Sequence, residues 1–213
     1  MRIIKPGVEF MHHVDGQAVM NLLEACGRVC YKSEDRIDEW SAESFLRGII
    51  KRGHEVVLEH ASMTVKFTVD RGVSHEIVRH RMASYCQEST RYCNYAGDKF
   101  GSEITVIEPC FFPFGSFEYA DWKRSCRAAE SAYFTLLADG RSPQEARAVL
   151  PNSLKTELVM TANIREWRHF LRLRCAPGAH PQMREVAIPL LQMFYDVLPV
   201  LFADVYAEVH GES

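Results

Sequence analysis

From Ser62 to Asp70 apolar and polar side chains alternate without a break: Met63, Val65, Phe67 and Val69 against Ser62, Thr64, Lys66, Thr68 and Asp70. A period of two puts the first set on one face and the second on the other, which makes this segment a strand with one buried face. Strands of parallel sheets covered on both sides read as continuous apolar runs, so the alternation points to antiparallel or mixed pairing, not a doubly wound parallel sheet. Helical periods lie before it. Val19, Leu22, Leu23, Cys26, Val29 and Cys30 predict a helix over 16–30, and Ser41 as a cap, with Glu43 in the first turn, predicts a second that ends before Gly53. The fold class that follows is α/β of the α+β type, an antiparallel or mixed sheet packed with helices.

After the strand, Arg71-Gly72 turns the chain into a helix over 74–81, and a polar loop leads to a second strand at 104–107. A long helix is expected over 117–137, stopped by Gly140, then a short one opened by Pro143. A strand over 154–161 and a helix over 165–173 complete the middle of the chain. From residue 182 the pattern is helical, with interruptions expected at Pro189 and Pro199. That segment is apolar nearly all round, more than a surface helix needs, so part of it is expected to be buried between subunits. With 213 residues, no repeats and no evident linker, the chain supports one sizeable core and reads as a single domain over 1–213.

A net charge of −3 and a pI near 6.3 argue against a general nucleic-acid binder, whose basic face would dominate the total. Seven cysteines, an odd number without CxxC spacing, read as reduced thiols of a cytoplasmic protein. The N-terminus lacks the apolar core of a signal peptide, and the apolar run over 186–203 carries Gln192, Asp196 and two prolines, so no membrane partner is expected.

The basic residues are concentrated locally. Arg79-His80-Arg81 is followed, after seven residues, by Ser89 and then Arg91, with Tyr85, Gln87, Glu88, Thr90 and Tyr92 between and beside them. Guanidinium forks, hydroxyls and rings in one segment have the composition of an anion-binding loop, although a lone basic triplet is more often a solvated helix end. Two His-Glu pairs suggest a metal, His54-Glu55 with His60 and His75-Glu76 with His80. Their histidines are six and five apart, which puts the rings on different sides of a helix, so no metal is assigned. Pro109-Cys110 resembles a nucleophile context, but Phe111-Phe112 follows, the setting of a buried inert thiol. On a wheel through 163–174, Trp167, Phe170 and Leu171 share a face with Arg174 at its end, while Arg165, His169 and Arg172 lie roughly opposite. Arg168 and Arg172 read as solvated. Arg174, aligned with an apolar stripe, needs an anion or a helix C-terminus. Arg147 has Glu145 only two residues away, so its partner must come from elsewhere.

Taken in order, these segments resemble the flavin-dependent thymidylate synthase family from about Ala25 to Glu185. The matching pieces are Arg28-Val29-Cys30-Tyr31, Gly53-His54-Glu55 with Leu58-Glu59-His60, Arg79-His80-Arg81-x7-Ser89, Arg147 with Leu150-Pro151, and Asn163-x-Arg165 ending at Arg174. The resemblance implies conversion of dUMP to dTMP, with the carbon taken from 5,10-methylenetetrahydrofolate and the hydride from NADPH through FAD. It implies a homotetramer whose active sites are shared between subunits. Carried over by position, FAD falls to Arg79, His80, Arg81, Gln87, Asn163, Ile164, Arg165, His169 and His54. The substrate dUMP falls to Glu76, Arg79, Gln87, Glu88, Ser89, Thr90, Arg91, Arg147 and Arg174, with Arg147 reaching in from another subunit and Arg174, the catalytic residue, against the uracil. In some members a smaller amide stands at His169 and a glutamine at Glu76. Two other readings stay open on the residues alone: a nucleotide or RNA-binding module stacking bases on Tyr85, Tyr92 and Trp167, and a flavoprotein of different chemistry.

Overall fold

The computed structural model describes residues 1–97 and 100–211. Two short strands open the chain, β1 (Arg2–Ile4) and β2 (Gly7–Phe10). Neither was legible, because three or four residues are too few to show a period. Then follow α1 (Gly16–Tyr31), α2 (Ser41–Lys51), β3 (Ser62–Asp70), α3 (Arg71–Ile77), β4 (Ala83–Gln87), β5 (Thr105–Ile107) and α4 (Phe117–Ala138). The chain ends with α5 (Pro143–Ala146), β6 (Lys155–Asn163), α6 (Ile164–Cys175), α7 (Pro181–Val197) and α8 (Pro199–His210). 3-10 segments lie at Glu34–Arg36, Glu55–His60 and Arg147–Val149. β1 pairs in parallel with β5, and a four-stranded sheet runs in the order β2-β3-β6-β4. The class is mixed α/β, as the alternation in β3 required. Met63, Val65, Phe67 and Val69 are buried there, and Thr64, Lys66 and Thr68 are half-buried.

The chain divides into two compact units. The first comprises Met1–Gly7, Phe67–Arg79 and Tyr85–Val159; the second comprises Val8–Lys66, His80–Ser84 and the chain from Met160 onward. In the first, Tyr95, Ile104, Val106, Cys126, Tyr133 and Leu154 form one buried cluster, with Met1, Ile3 and Trp122 packed on it. In the second, Trp167, Phe170, Phe194 and Phe202 are fully buried, with rings of Trp167 and Phe194 5.3 Å apart and those of Phe194 and Phe202 4.7 Å apart. The indole N–H of Trp167 donates to the Met63 carbonyl at 3.1 Å, which satisfies the one polar group of a large apolar side chain.

Several expectations are corrected. The helix placed at 74–81 begins at Arg71, because Asp70 caps it by accepting the Val73 N–H at 2.7 Å, and it ends at Ile77. Arg79, His80 and Arg81 therefore lie beyond the helix. Part of the polar loop is the strand β4, whose half-buried face carries Ala83, Tyr85 and Gln87. Its period of two is real but is written in polar residues, so an apolar pattern does not reveal it. Ser41 is the first residue of α2, not its cap, and its hydroxyl donates to the buried Glu24 at 2.9 Å. Pro189 sits inside α7 without ending it, while Pro199 opens α8, a first-turn position where its missing N–H costs nothing. In α7 and α8, Leu190, Leu191, Phe194, Leu201, Phe202 and Val205 are buried within the chain. No described helix is long and apolar enough to cross a membrane.

Candidate functional site

In the first unit, β4 ends at Gln87 and delivers the segment that follows it. The Gln87 amide donates to Ser74 at 2.9 Å and to Thr156 at 3.3 Å, which fixes its plane between α3 and β6. Glu88 is gripped by three contacts: its N–H donates to the Glu157 carbonyl at 2.8 Å, and its carboxylate accepts from Lys155 at 2.8 Å and the Tyr95 hydroxyl at 3.2 Å. Burial and then the Glu88 charge push the Tyr95 hydroxyl's pKa up, so it stays a donor. Ser89 turns back to accept the Arg91 N–H at 3.2 Å, and the Arg91 guanidinium lies over the Tyr92 ring, 5.4 Å from its centre. Arg147, in the turn after α5, donates to buried Thr90 at 3.3 Å. Arg147 and Thr90 line a cavity of about 350 Å³ with Arg71, His75 and Asn152. The partner acid sought for Arg147 is not there: among the described residues Arg79, Arg91 and Arg147 form no ion pair. Glu76 lies half-buried near the end of α3.

In the second unit the site is organised by α6. Asn163 caps it, accepting the Glu166 N–H at 2.9 Å. Ile164 is buried, so only its backbone is available to a ligand. Arg165 and His169, one turn apart, are exposed. Together with Asn163, Glu166, Arg172, Glu55, Glu59 and Met82 they line a groove of about 420 Å³. That is near the lower end of the roughly 300–1,000 Å³ typical of ligand pockets. Arg165 is held by Glu59 at 2.6 Å, and Arg81 is exposed without an ion pair among the described residues. His54 is exposed, with its Nδ1 3.0 Å from the Tyr31 hydroxyl. The groove is edged by the Asn163 amide, the Arg165 guanidinium and the His169 imidazole, and by the carboxylates of Glu55, Glu59 and Glu166.

His80 is 3% exposed, packed 4.7 Å from the Phe170 ring, with Nδ1 3.0 Å from a Glu166 oxygen and Nε2 3.1 Å from Arg174 Nε. Arg174 thus meets an imidazole, beyond what the wheel indicated. Burial lowers the His80 pKa most; the Glu166 hydrogen bond opposes this, the Arg174 charge adds to it, and the net shift is downward. His80, Glu166 and His169 offer ligand atoms within 4.8 Å of one another. Both His80 nitrogens are already engaged, one by a guanidinium, so the arrangement is hostile to a metal cation.

Arg168 is not solvated. It is fully buried, forked onto Asp204 at 2.8 and 2.6 Å, bonded to the Leu201 carbonyl, and 3.1 Å from Glu55. The wheel failed here because α8 covers that face and brings the acid. Arg172, half-buried, pairs with Asp204 at 2.7 Å and Glu208 at 3.0 Å. Cys110 is exposed rather than buried, on a turn where Phe114 is also exposed. Sequence reasoning missed Ser74, Lys155, Thr156 and Glu166. The first three are ordinary polar residues whose partners, Gln87 and Glu88, lie in another element at or just beyond the end of β4, and only Glu166, three residues past an asparagine, carried a local signal, that of a helix start.

The family model for thymidylate synthase complementing protein matches residues 14–200. A flavin-dependent thymidylate synthase of Geobacter sulfurreducens is 35% identical over 205 residues, covering 91% of this chain and 83% of the relative. Another of that name, from Mycobacteroides abscessus, is 33% identical and covers 95% and 85%. Among solved structures, a UMP/dUMP methylase, PolB of Streptomyces cacaoi bound with 5-Br dUMP, matches with a TM-score of 0.75 at 26% identity, over 95% of this chain and 96% of that one.

Proposed function

The chain belongs to the thymidylate synthase complementing protein family, and on that premise we propose that it is a flavin-dependent thymidylate synthase converting dUMP to dTMP. The observation that carries the site is that Arg79, Arg81, Arg91 and Arg147 form no ion pair among the described residues. Guanidinium groups left without internal anions are suited to ligand phosphates and carbonyls.

Arg91 and Arg147, with the Ser89 and Thr90 hydroxyls, take the dUMP phosphate, and Glu76, Arg79, Gln87 and Glu88 take its sugar and base. The grip of Ser74 and Thr156 on Gln87, and of Lys155 and Tyr95 on Glu88, supports this, since pre-set polar groups lose little entropy on binding. Arg174 presents its cation to the N3–O4 edge of the uracil. Charge there stabilises the ionised pyrimidine, raises electron density at C5 and favours attack on the one-carbon unit of 5,10-methylenetetrahydrofolate. No enzyme nucleophile is needed, and the buried Cys175, its thiol pushed up to about 12 by burial, is unsuited to be one. FAD, when bound, supplies the hydride that completes the methyl group, with NADPH as its source. Arg79, Arg81, Gln87, His54, Asn163, Arg165 and His169 hold that cofactor, with His80 and Ile164 contributing by their backbones, since both His80 ring nitrogens are engaged within the chain and Ile164 is buried. The family match over residues 14–200 supports treating the chain as one functional domain; its proposed working form is a cytoplasmic homotetramer with shared sites.

The test is product formation by the purified protein with dUMP, methylenetetrahydrofolate, FAD and NADPH, beside a mixture lacking FAD and NADPH, with UMP as a parallel substrate. dTMP in the complete mixture alone establishes the reaction. A yellow protein without product makes it another flavoenzyme, and methylation of UMP in preference to dUMP reassigns the substrate.

A further inference from the structure

We propose that Glu166 is a positioning residue for Arg174, acting through His80. This rests on the reading of Arg174 as the cation beside the uracil. Glu166 is the third residue of α6, where a glutamate usually turns back to bond the N-terminal cap. Its side chain goes instead to His80, with Oε1 3.0 Å from Nδ1. An ionised carboxylate can only accept, so Nδ1 carries the proton. That leaves Nε2 with a bare lone pair, and it lies 3.1 Å from Arg174 Nε, which can only donate. The two contacts are compatible in one state of the ring, the neutral Nδ1–H tautomer. A second proton would set N–H against N–H and cation against cation.

Burial and two of the facing side chains favour that state. Phe170 packs on it at 4.7 Å and His169 at 5.5 Å, which removes water and turns the ring against gaining charge. Among the described residues Glu166, Arg174 and His169 face it; the last two oppose protonation and Glu166 favours it. The chain carboxylate to imidazole to guanidinium therefore sets the plane in which the Arg174 fork is presented. A rival account is that Glu166 merely complements the N-terminal dipole of α6. The two separate cleanly, because glutamine and alanine both remove the charge but only glutamine keeps an oxygen for Nδ1–H.

The experiment compares Glu166→Gln and Glu166→Ala with wild type as full-length, FAD-loaded proteins. Imidazole 15N shifts report the His80 tautomer, and kcat and KM for dUMP are measured alongside. Wild type is expected in the Nδ1–H form at neutral pH. Glu166→Gln keeps that form, and its kcat stays within about threefold. Glu166→Ala lets the ring exchange tautomers and loses up to about a hundredfold in kcat, as expected when a reacting group is misoriented. Equal losses in both variants with the tautomer unchanged, or wild-type kinetics for Glu166→Ala, overturn the proposal. If Glu166→Ala does not fold, the wild-type titration decides: a His80 pKa above 6.5 overturns it. A wild type that makes no dTMP sinks the functional reading instead, and the tautomer measurement still stands.

Discussion

Two groups of arginines are treated in opposite ways. Around α6, Arg168 and Arg172 are matched to carboxylates of Glu55, Asp204 and Glu208. In the segment after β4 and the turn after α5, Arg91 and Arg147 are exposed and form no ion pair among the described residues. Paired, buried cations hold a fold together at best neutrally but punish the loss of one partner. Unpaired, exposed cations contribute little to stability and stay available to a ligand. The contrast teaches that an arginine's neighbours, more than its presence in a basic run, separate scaffold from site.

The largest effect tests the scaffold side. Arg168→Ala removes a fully buried fork, opens a cavity and leaves Asp204 with Arg172 alone; it is expected to cost about 3 kcal/mol, read from the denaturant midpoint. A change under 1 kcal/mol would erase the contrast. Next, Arg174→Ala should keep FAD yet lose about 10²–10³ in kcat, a value typical for removing one group that stabilises developing charge. Near-normal turnover would remove Arg174 from the chemistry. Arg147→Ala is expected to raise the KM for dUMP at least tenfold while stability moves by about 0.5 kcal/mol or less. A large drop in melting temperature would place Arg147 with the scaffold.

A pH experiment sharpens the same division. Burial pushes the Asp204 carboxyl up, but hydrogen bonds and charge from Arg168, then the charge of Arg172, hold it below its ordinary value of 3.8. The unfolded chain then takes the proton first as pH falls, so this contribution is present above 3.8 and lost as pH drops through the folded value. Asp204→Asn should flatten the acid limb of stability; an unaltered limb would discount the pair. The smallest effect is expected for Cys110→Ala, which should leave turnover nearly intact although the thiol is exposed. Complete loss would revive a cysteine nucleophile.

How much could be read before the fold was known follows residue by residue. β3 was legible because Met63, Val65, Phe67 and Val69 write one face in apolar residues. β4 was not, because Tyr85 and Gln87 mark its half-buried face with groups that bond to α3 and β6. Arg174 stood out by its alignment with Trp167 and Phe170, whereas Glu166 passed as a helix-start residue, since its partner His80 is 86 positions away. Arg168 was misread for the same reason: Asp204 lies 36 residues on, in another helix.

The sequence by itself determined the periodic elements, the fold class and the ordered segments that mark the family, because these are local patterns of side-chain type and spacing. Only the tertiary structure decided which charges are spent inside and which face outward. That choice depends on electrostatic partners brought together by chain folding, and Coulomb interaction follows distance in space, to which separation along the chain is no guide.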